Sequence, residues 1–129
     1  MRILLDTSGY IKHFNGIPAF VEKVVAAGEV LMSPISIGEL MLGFRQGSRF
    51  RENMNALNRF LGKDVVRLVP VSEVTADRYS RIALYLRRQG TPIPSNDMWI
   101  AAQAMEHGAE LLTSDRHFEQ IGGLVCSVC

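Results

Sequence analysis

The chain has 129 residues, 47% of them apolar, so it is long enough to bury a core as one domain without disulfides or other staples. Its longest uncharged apolar run falls far short of the roughly 20 residues that span a bilayer. Arg2 followed by only three apolar residues is not a secretory leader. We therefore expect a cytoplasmic protein without a membrane segment. The net charge of +1 alone favours no class of partner.

The first element is an apolar run at residues 3–5 that ends abruptly at Asp6. A strand buried on both faces delivers the residue that follows it to the carboxyl edge of a sheet, where open α/β folds bind their ligands. Thr7 or Ser8 can cap a short helix that ends at Phe14. The sequence therefore predicts that Asp6 lies on this edge.

A helix over 18–27 and a short strand at 30–32 are predicted next, and a third helix begins near Ser36. The apolar residues of that third helix recur at i, i+3, i+4 and i+7, which predicts one buried stripe. Glu39 lies off the centre of this stripe and close to the helix N-terminus, where the helix dipole favours its charge. It can therefore face the same edge of the sheet.

A fourth helix over 50–61 forms an αα-hairpin with the third, and this region is basic. Its cationic residues are Arg45, Arg49, Arg51, Arg59, Lys63 and Arg67. When the four candidate site acids are set aside, the whole chain carries 14 basic residues against 9 acidic ones. The hairpin is either a surface for a polyanion such as RNA, with Arg45, Arg49 and Arg51 as candidate contacts, or an ordinary solvated helix face.

A third strand is predicted over 65–71, followed by a long helix. Ser95 and Asn96 are both suitable caps for the next helix, over 97–107. Asp97 then lies in the first turn, where free amide donors and the positive end of the helix dipole stabilise a carboxylate.

The last elements are a strand at 110–113, a single turn around Phe118 and a strand over 124–128. The fourth strand leads to Asp115 as the first led to Asp6. Alternating strands and helices predict a parallel sheet of four to five strands with helices on both faces. We therefore expect one α/β domain over residues 1–129.

Four acidic residues fall at comparable strand ends or helix starts. They are Asp6, Glu39, Asp97 and Asp115. Each alone has an ordinary explanation as a cap, a turn residue or an exposed helix position. Together they are informative, because two carboxylates about 5 Å apart repel by roughly 3 kcal/mol at an effective dielectric of 20. Such a cluster must either take up protons or hold a cation.

The four candidate ligands are all carboxylates, with no His or Cys counted among them, so the predicted site offers only oxygen ligands. Hard cations prefer such ligands, and Mg²⁺ or Mn²⁺ is the expected occupant. The hydroxyls of Thr7, Ser8, Thr113 and Ser114 lie beside the acids in sequence as candidate supporting donors. The pattern favours metal-assisted hydrolysis of a phosphodiester.

Other acid-rich α/β sites fit less well. A haloacid-dehalogenase-type phosphatase requires Asp-x-Asp after the first strand, and position 8 is Ser. A phosphoacceptor receiver domain requires paired acids there and a lysine after a later strand, and both are absent. Glycine-rich phosphate loops are absent too, which excludes nucleotide chemistry of the P-loop kind.

The acidic motifs resemble those of PIN-domain ribonucleases, in particular the VapC toxins of bacterial toxin–antitoxin pairs. The matching segments are Leu-Leu-Asp-Thr-Ser, Ser-Ile-Gly-Glu-Leu, the Asp before Trp-Ile-Ala-Ala, and Thr-Ser-Asp-Arg-His-Phe. They keep the order and spacing of all four acids over almost the full length. The resemblance implies an endoribonuclease with a Rossmann-like sheet that depends on Mg²⁺ or Mn²⁺, is usually homodimeric and pairs with a VapB-like antitoxin. The antitoxin's C-terminal segment would occupy a groove that reaches the acids.

Carried over by motif, the resemblance assigns metal binding and catalysis to the four acids, with Thr113 as a hydroxyl near the fourth. Asp6 and Asp97 are expected to contact the ion most directly, and Glu39 partly through water. Two alternatives stay open. One is a binding or regulatory module that keeps the fold without turnover, and the other is a DNA-cleaving nuclease of the same chemistry.

Three further residue types invite interpretation. Trp99 leaves its helix on a different face from Asp97, which favours a place in the core or an interface. His117 next to Asp115 could carry a proton, although a metal-bound water already supplies the nucleophile. Cys126 and Cys129 are interpreted as reduced thiols at a frayed end, with zinc shared between two chains as the alternative.

Overall fold

Five parallel strands form one sheet in a computed structural model that describes all of residues 1–129. The strands are β1 (Arg2–Leu5), β2 (Glu29–Met32), β3 (Val66–Leu68), β4 (Glu110–Thr113) and β5 (Cys126–Val128). Their order across the sheet is β3-β2-β1-β4-β5, so the first strand lies at the centre. The predicted parallel α/β fold is confirmed.

Six α-helices and one 3₁₀ helix connect and cover the strands. They are α1 (Thr7–Phe14), α2 (Pro18–Ala26), α3 (Pro34–Gln46), α4 (Phe50–Leu61), α5 (Glu73–Gln89), α6 (Ser95–Glu106) and a 3₁₀ helix at Arg116–Gln120. Residues of α5 and α6 pack in the core on one face of the sheet, and residues of α1 to α4 pack on the other. None of the helices has the length and apolarity needed to cross a bilayer.

Alternation along β1 divides the core in two. Leu4 pairs in register with Leu31 and with Leu111, and all three join the cluster under α5 and α6. Ile3 and Leu5 point to the opposite cluster under α1 to α4. All five side chains are fully buried, and burial of each contributes about 1.5–3 kcal/mol. A strand that is apolar on both faces therefore becomes the centre of the sheet.

The strand order places the beginning and the end of the chain side by side. Leu5 pairs with Met32 on one side and with Leu112 on the other. The residues after β1, β2 and β4 consequently emerge at one carboxyl edge. Asp6 thereby becomes a neighbour of Thr113, which is 107 residues away in sequence.

Three helix starts differ from the sequence prediction. Asp6, rather than Thr7 or Ser8, is the N-cap of α1. Helix α3 begins at Pro34, two residues earlier than predicted, because Ser33 caps it and proline suits the first turn. Helix α6 begins at Ser95 after Pro94, so neither predicted cap acts as one.

The two edge strands are shorter than predicted. Strand β3 covers three residues instead of 65–71, since an edge strand has only one partner and Pro70 has no N–H to donate. Before β5, Leu124 donates its N–H to Ile121 in a turn rather than to the sheet. The turn delays the start of this strand by two residues relative to the prediction.

The two cysteines are free, as predicted, but they do not lie in a frayed end. Cys126 begins β5, and the N–H of Cys129 donates to the carbonyl of Thr113 at 3.1 Å. Three residues of extended chain separate the Cα atoms by about 10 Å, whereas a disulfide tolerates roughly 7 Å. The pair cannot close a disulfide while this strand is formed.

Candidate active site

Asp6 is the most constrained of the four acids. As the N-cap of α1, its Oδ1 accepts the N–H of Gly9 at 2.6 Å and the hydroxyl of Ser8 at 2.9 Å. Its Oδ2 accepts the hydroxyl of Thr113 at 2.5 Å. Only 2% of the residue is exposed, and this burial raises the pKa of Asp6 to about 6. The hydrogen bonds oppose the rise in pKa, and the nearby charge of Asp115 adds to it.

Gly9 permits the close approach that buries Asp6. A Cβ at this position would lie 2.3 Å from the carbonyl oxygen of Leu112 and 3.1 Å from Oδ1 of Asp6. Helix α1 therefore packs directly against the backbone of β4. Its free N–H groups are thereby held against the carboxylate they stabilise.

Thr113 connects the ends of β1 and β4. Its hydroxyl donates to Asp6 and accepts the backbone N–H of Asp115 at 3.0 Å. The neighbouring residue, Ser114, contributes its backbone N–H, which donates to the hydroxyl of Ser8 at 3.0 Å. The predicted support from residues 113 and 114 is therefore present, although Ser114 supplies it through its backbone rather than its hydroxyl.

Glu39 lies between two helices that start at the same edge. The hydroxyl of Thr7, in the first turn of α1, donates to Oε1 of Glu39 at 2.5 Å. The side-chain amide of Asn96, in the first turn of α6, lies 3.4 Å from Oε2. Helix α3 thus delivers Glu39 to the edge, as predicted, and its carboxylate has a donor on each side.

Asp97 lies in the first turn of α6, as predicted, with 15% of its side chain exposed. Its Oδ2 is 2.8 Å from Nε2 of His117. Burial raises the pKa of Asp97, the imidazole opposes this, and the charges of Glu39 and Asp115 raise it further. These couplings, together with that of Asp115 to Asp6, join all four acids in one electrostatic cluster.

The chain is similar to known proteins in both sequence and fold. The profile of one protein family, described as the PIN domain, matches residues 3–124. The chain belongs to the PIN-domain family. This PIN domain is 31% identical to ribonuclease VapC4 of Mycobacterium tuberculosis, over 91% of the present chain and 88% of that protein. It is 32% identical to ribonuclease VapC1 of Rickettsia felis, over 96% and 93%.

A solved structure agrees with the sequence comparison. The structure of VapBC-1 from nontypeable Haemophilus influenzae superimposes on this PIN domain with a TM-score of 0.86 and 27% identity. The match covers 99% of the present chain and 98% of that one. The VapC-type resemblance inferred from the four acidic motifs is therefore confirmed.

The acids of this PIN domain fit a hydrated hard cation. Their ligand atoms are carboxylate oxygens, and no Lys or Arg forms an ion pair with any of the four. Nor do any three His, Cys, Asp or Glu side chains form a ready-made metal cage. Mg²⁺ usually keeps several waters and takes only one or two carboxylates directly. The donor atoms of the four acids are therefore of the chemical type that such an ion prefers.

The three arginines predicted to contact RNA lie on the α3–α4 hairpin, outside the acid cluster, and all are exposed. The guanidinium of Arg45 lies 4.4 Å from the centre of the Phe50 ring. Arg49 pairs with Glu52 at 3.0 Å, whereas Arg51 has no charged partner. Their contact with RNA stays a prediction, and Arg51 has the guanidinium most available for a phosphate.

Sequence reasoning missed two neighbours of the acids. It considered His117 only beside Asp115, but the ring contacts Asp97. It treated Asn96 only as a helix cap. The one feature of the sequence that could have indicated its contact with Glu39 was its position at the start of the helix that carries Asp97. Trp99 stacks on Tyr79 with ring centres 4.1 Å apart, which agrees with the predicted packing role.

Proposed function

We propose that this PIN domain is a metal-dependent endoribonuclease toxin of a toxin–antitoxin pair. The observation that carries the proposal is the cluster of four carboxylates without a single Lys or Arg partner. Burial raises the pKa of both Asp6 and Asp97, and the charge of Asp115 adds to each rise, so ionisation of these two carboxylates is unfavourable while no cation is bound. Such unfavourable electrostatics occur where a site awaits a charged ligand.

The proposed cofactor is Mg²⁺ or Mn²⁺, which, when bound, lowers the pKa of a bound water and offsets negative charge on a phosphodiester. Asp6 and Asp97 would hold the ion, and Glu39 and Asp115 would act from the rim or through water. Thr113 and Gly9 fix the orientation of Asp6, and Thr7 fixes that of Glu39. Held in this way, the carboxylates need little reorganisation during the reaction.

RNA is the favoured substrate because the curated relatives VapC4 and VapC1 are named ribonucleases. The four acids recognise phosphate chemistry, which RNA and DNA share. The acids therefore do not distinguish RNA from DNA, and an experiment has to separate the two substrates. The cleavage assay below includes single-stranded DNA of matched sequence for that purpose.

A groove between α1 and α4 is the proposed docking site for a VapB-like antitoxin. Tyr10, Phe14 and Phe60 line a pocket of 260 Å³ there, and Arg59 and Lys63 stand at its rim. Phe14 is 54% exposed, although large apolar side chains are normally covered. Helix α1 runs from this pocket back to Asp6, so a bound segment could extend into the acids. The expected partner has apolar side chains for the pocket and carboxylates for the two cations.

The docking proposal has a direct test. We expect Phe14→Asp to lose copurification with the product of a short reading frame immediately upstream, while RNA cleavage is retained. Leu84→Asp is the matched control, because Leu84 is 46% exposed on α5, across the sheet. Equal loss of binding in both variants would contradict the proposed site.

A homodimer, also proposed from the family resemblance, is tested by light scattering of the purified chain.

The nuclease proposal is tested by incubating purified protein with a pool of tRNA and rRNA in Mg²⁺, in Mn²⁺ and in EDTA. We expect the wild type to cut RNA only with a metal and Asp97→Asn to be inactive. Cleavage of the matched DNA but not of RNA would transfer the assignment to a DNA nuclease. A wild type free of copurified inhibitor that cuts neither substrate would favour the non-catalytic module.

A further inference from the structure

His117 is a polar group of the acid cluster without an assigned role. Its ring belongs to the 3₁₀ helix after β4, whereas Asp97 belongs to α6, so their contact joins two elements. Nε2 lies 2.8 Å from Oδ2 of Asp97 and is itself buried, although 34% of the His117 side chain is exposed. The ring N–H does not align with the oxygen well enough to form a hydrogen bond here. Polar contacts of this kind in ligand-free sites often tighten only when the ligand binds.

Core packing determines where the imidazole lies. Phe118, the next residue, is fully buried, and its ring centre lies 4.9 Å from that of His117. On the other side, the N–H of Asp115 is held by the hydroxyl of Thr113. The turn is thus fixed at both flanks, and the imidazole reaches Asp97 from a rigid base. Rigid supports of this kind are what precise placement of a ligand atom requires.

The chemistry of histidine suits this place. A lysine or arginine at 117 would form a permanent ion pair with Asp97 and compete with a metal ion for its charge. An imidazole Nε2–H can donate one hydrogen bond without requiring a charge on the ring. The other oxygen of Asp97, Oδ1, has no hydrogen-bond partner in the protein. The imidazole therefore lies beside Oδ2, close enough to donate a hydrogen bond after a small rotation, and it leaves Oδ1 without a protein partner.

We propose that His117 is a positioning residue, which holds Asp97 through Oδ2 and leaves Oδ1 for the divalent cation. This inference rests on the proposed function, since it gives Asp97 a metal to bind. The role is one of orientation and does not depend on a change in protonation. Residues that orient metal ligands in this way typically change metal affinity or activity by about 10–100-fold when they are removed.

The test compares His117→Ala with His117→Gln, because the glutamine amide places an N–H donor close to the position of Nε2. Mn²⁺ affinity is measured by calorimetry and by electron paramagnetic resonance without RNA, and cleavage is measured as kcat and KM. We expect His117→Ala to bind Mn²⁺ about tenfold more weakly than the wild type. Its kcat should fall, while its KM for RNA should stay close to the wild-type value. His117→Gln should recover most of both losses. Thermal unfolding checks that both variants are folded.

Three outcomes would overturn the inference, and they differ from one another. Wild-type Mn²⁺ affinity and cleavage in His117→Ala would show that the contact has no role. Wild-type Mn²⁺ affinity in both variants, with cleavage lost equally in both, would identify a proton carrier instead. A wild-type protein that neither binds Mn²⁺ nor cuts RNA would refute the proposed function itself and, with it, this inference.

Discussion

The two edges of the same sheet treat acidic residues in opposite ways. At the amino edge, Glu29 pairs with Arg2 and Arg67 at 3.0 and 3.1 Å, and Glu110 pairs with Lys23 at 3.2 Å. At the carboxyl edge, the four acids have no Lys or Arg partner at all. Paired acids help to hold strands and helices together, whereas a buried acid without a cationic partner, such as Asp6, reduces stability. The contrast separates carboxylates that stabilise the fold through ion pairs from those that the proposed function assigns to a ligand.

The largest expected effect comes from neutralising one acid at each edge. We expect Asp115→Asn to lower kcat/KM for RNA by about 10²–10³-fold while leaving stability nearly unchanged, because its carboxylate makes no hydrogen bond. Glu110→Gln should leave cleavage intact and cost about 1 kcal/mol, because Lys23 loses its charged partner. Cleavage assays and urea unfolding measure the two effects. Equal behaviour of the two variants would remove the distinction between the edges.

The second prediction concerns the pKa of Asp6, which burial raises from 3.8 to about 6. As pH rises from 3.8 to 6, the unfolded chain loses this proton before the folded chain does, so stability falls. At neutral pH the cost is about 3 kcal/mol, and below pH 3.8 it is absent. We expect Asp6→Asn to gain about 2 kcal/mol at pH 7.5 in EDTA, after part of the hydrogen bonding is lost. The gain should disappear near pH 4.

Urea unfolding of Asp6→Asn and wild type at both pH values measures this effect. The amino edge supplies the control, because Glu110→Gln should cost stability at pH 7.5 rather than add it. A gain in Asp6→Asn that is the same at pH 4 and pH 7.5 would show that burial of the Asp6 charge is not its source.

A third and smaller effect is expected from the cation itself. At ten times its Kd, Mn²⁺ should stabilise the wild type by about 1.4 kcal/mol, since it binds the folded chain only. Glu110→Gln should gain the same amount, and Asp97→Asn should gain much less. Thermal unfolding with and without Mn²⁺ measures the difference. Equal stabilisation of all three proteins would place the ion away from the carboxyl edge.

The smallest effect is expected on the α3–α4 hairpin. Arg51→Ala should weaken RNA binding by less than about 1 kcal/mol and reduce the salt dependence of binding by roughly one phosphate contact. Arg49→Ala should have less effect, because Arg49 is already paired with Glu52. Each arginine variant is combined with Asp97→Asn, so that RNA is not cleaved during the measurement. RNA binding is then measured at a series of salt concentrations. Unchanged salt dependence in both would make the hairpin an ordinary solvated face.

The parts of this fold that could be predicted are those set by short-range pattern. The apolar run before Asp6 and the helical repeat of apolar residues around Glu39 can both be recognised in the sequence itself. Parallel topology then places strand ends on one edge, which brought Asp97 and Asp115 to the same place. The length of edge strands was less predictable, since they have one partner and end where a turn competes for their hydrogen bonds.

The contacts of the acids could not be predicted, because they depend on how separate elements dock. Asn96 approaches Glu39 across 57 residues of sequence, and Thr113 reaches Asp6 across 107. The contact of His117 with Asp97 depends on a turn whose position follows from burial of Phe118. Periodicity carries no information about such distances. The acids and the hydroxyls of Thr7 and Thr113 were predicted from sequence, but the pairing of Thr7 with Glu39 and of Thr113 with Asp6 follows from how the elements dock.

The placement of β4 beside β1 has a consequence for synthesis of the protein. Asp6 leaves the ribosome among the first residues, whereas Thr113 and Asp115 follow only after more than a hundred others. Until β4 has emerged and paired with β1, the nascent chain lacks Asp115, one of the four acids, and the hydroxyl of Thr113 that orients Asp6. The acid cluster is therefore complete only when translation is nearly finished, so any activity that depends on all four acids begins after that point.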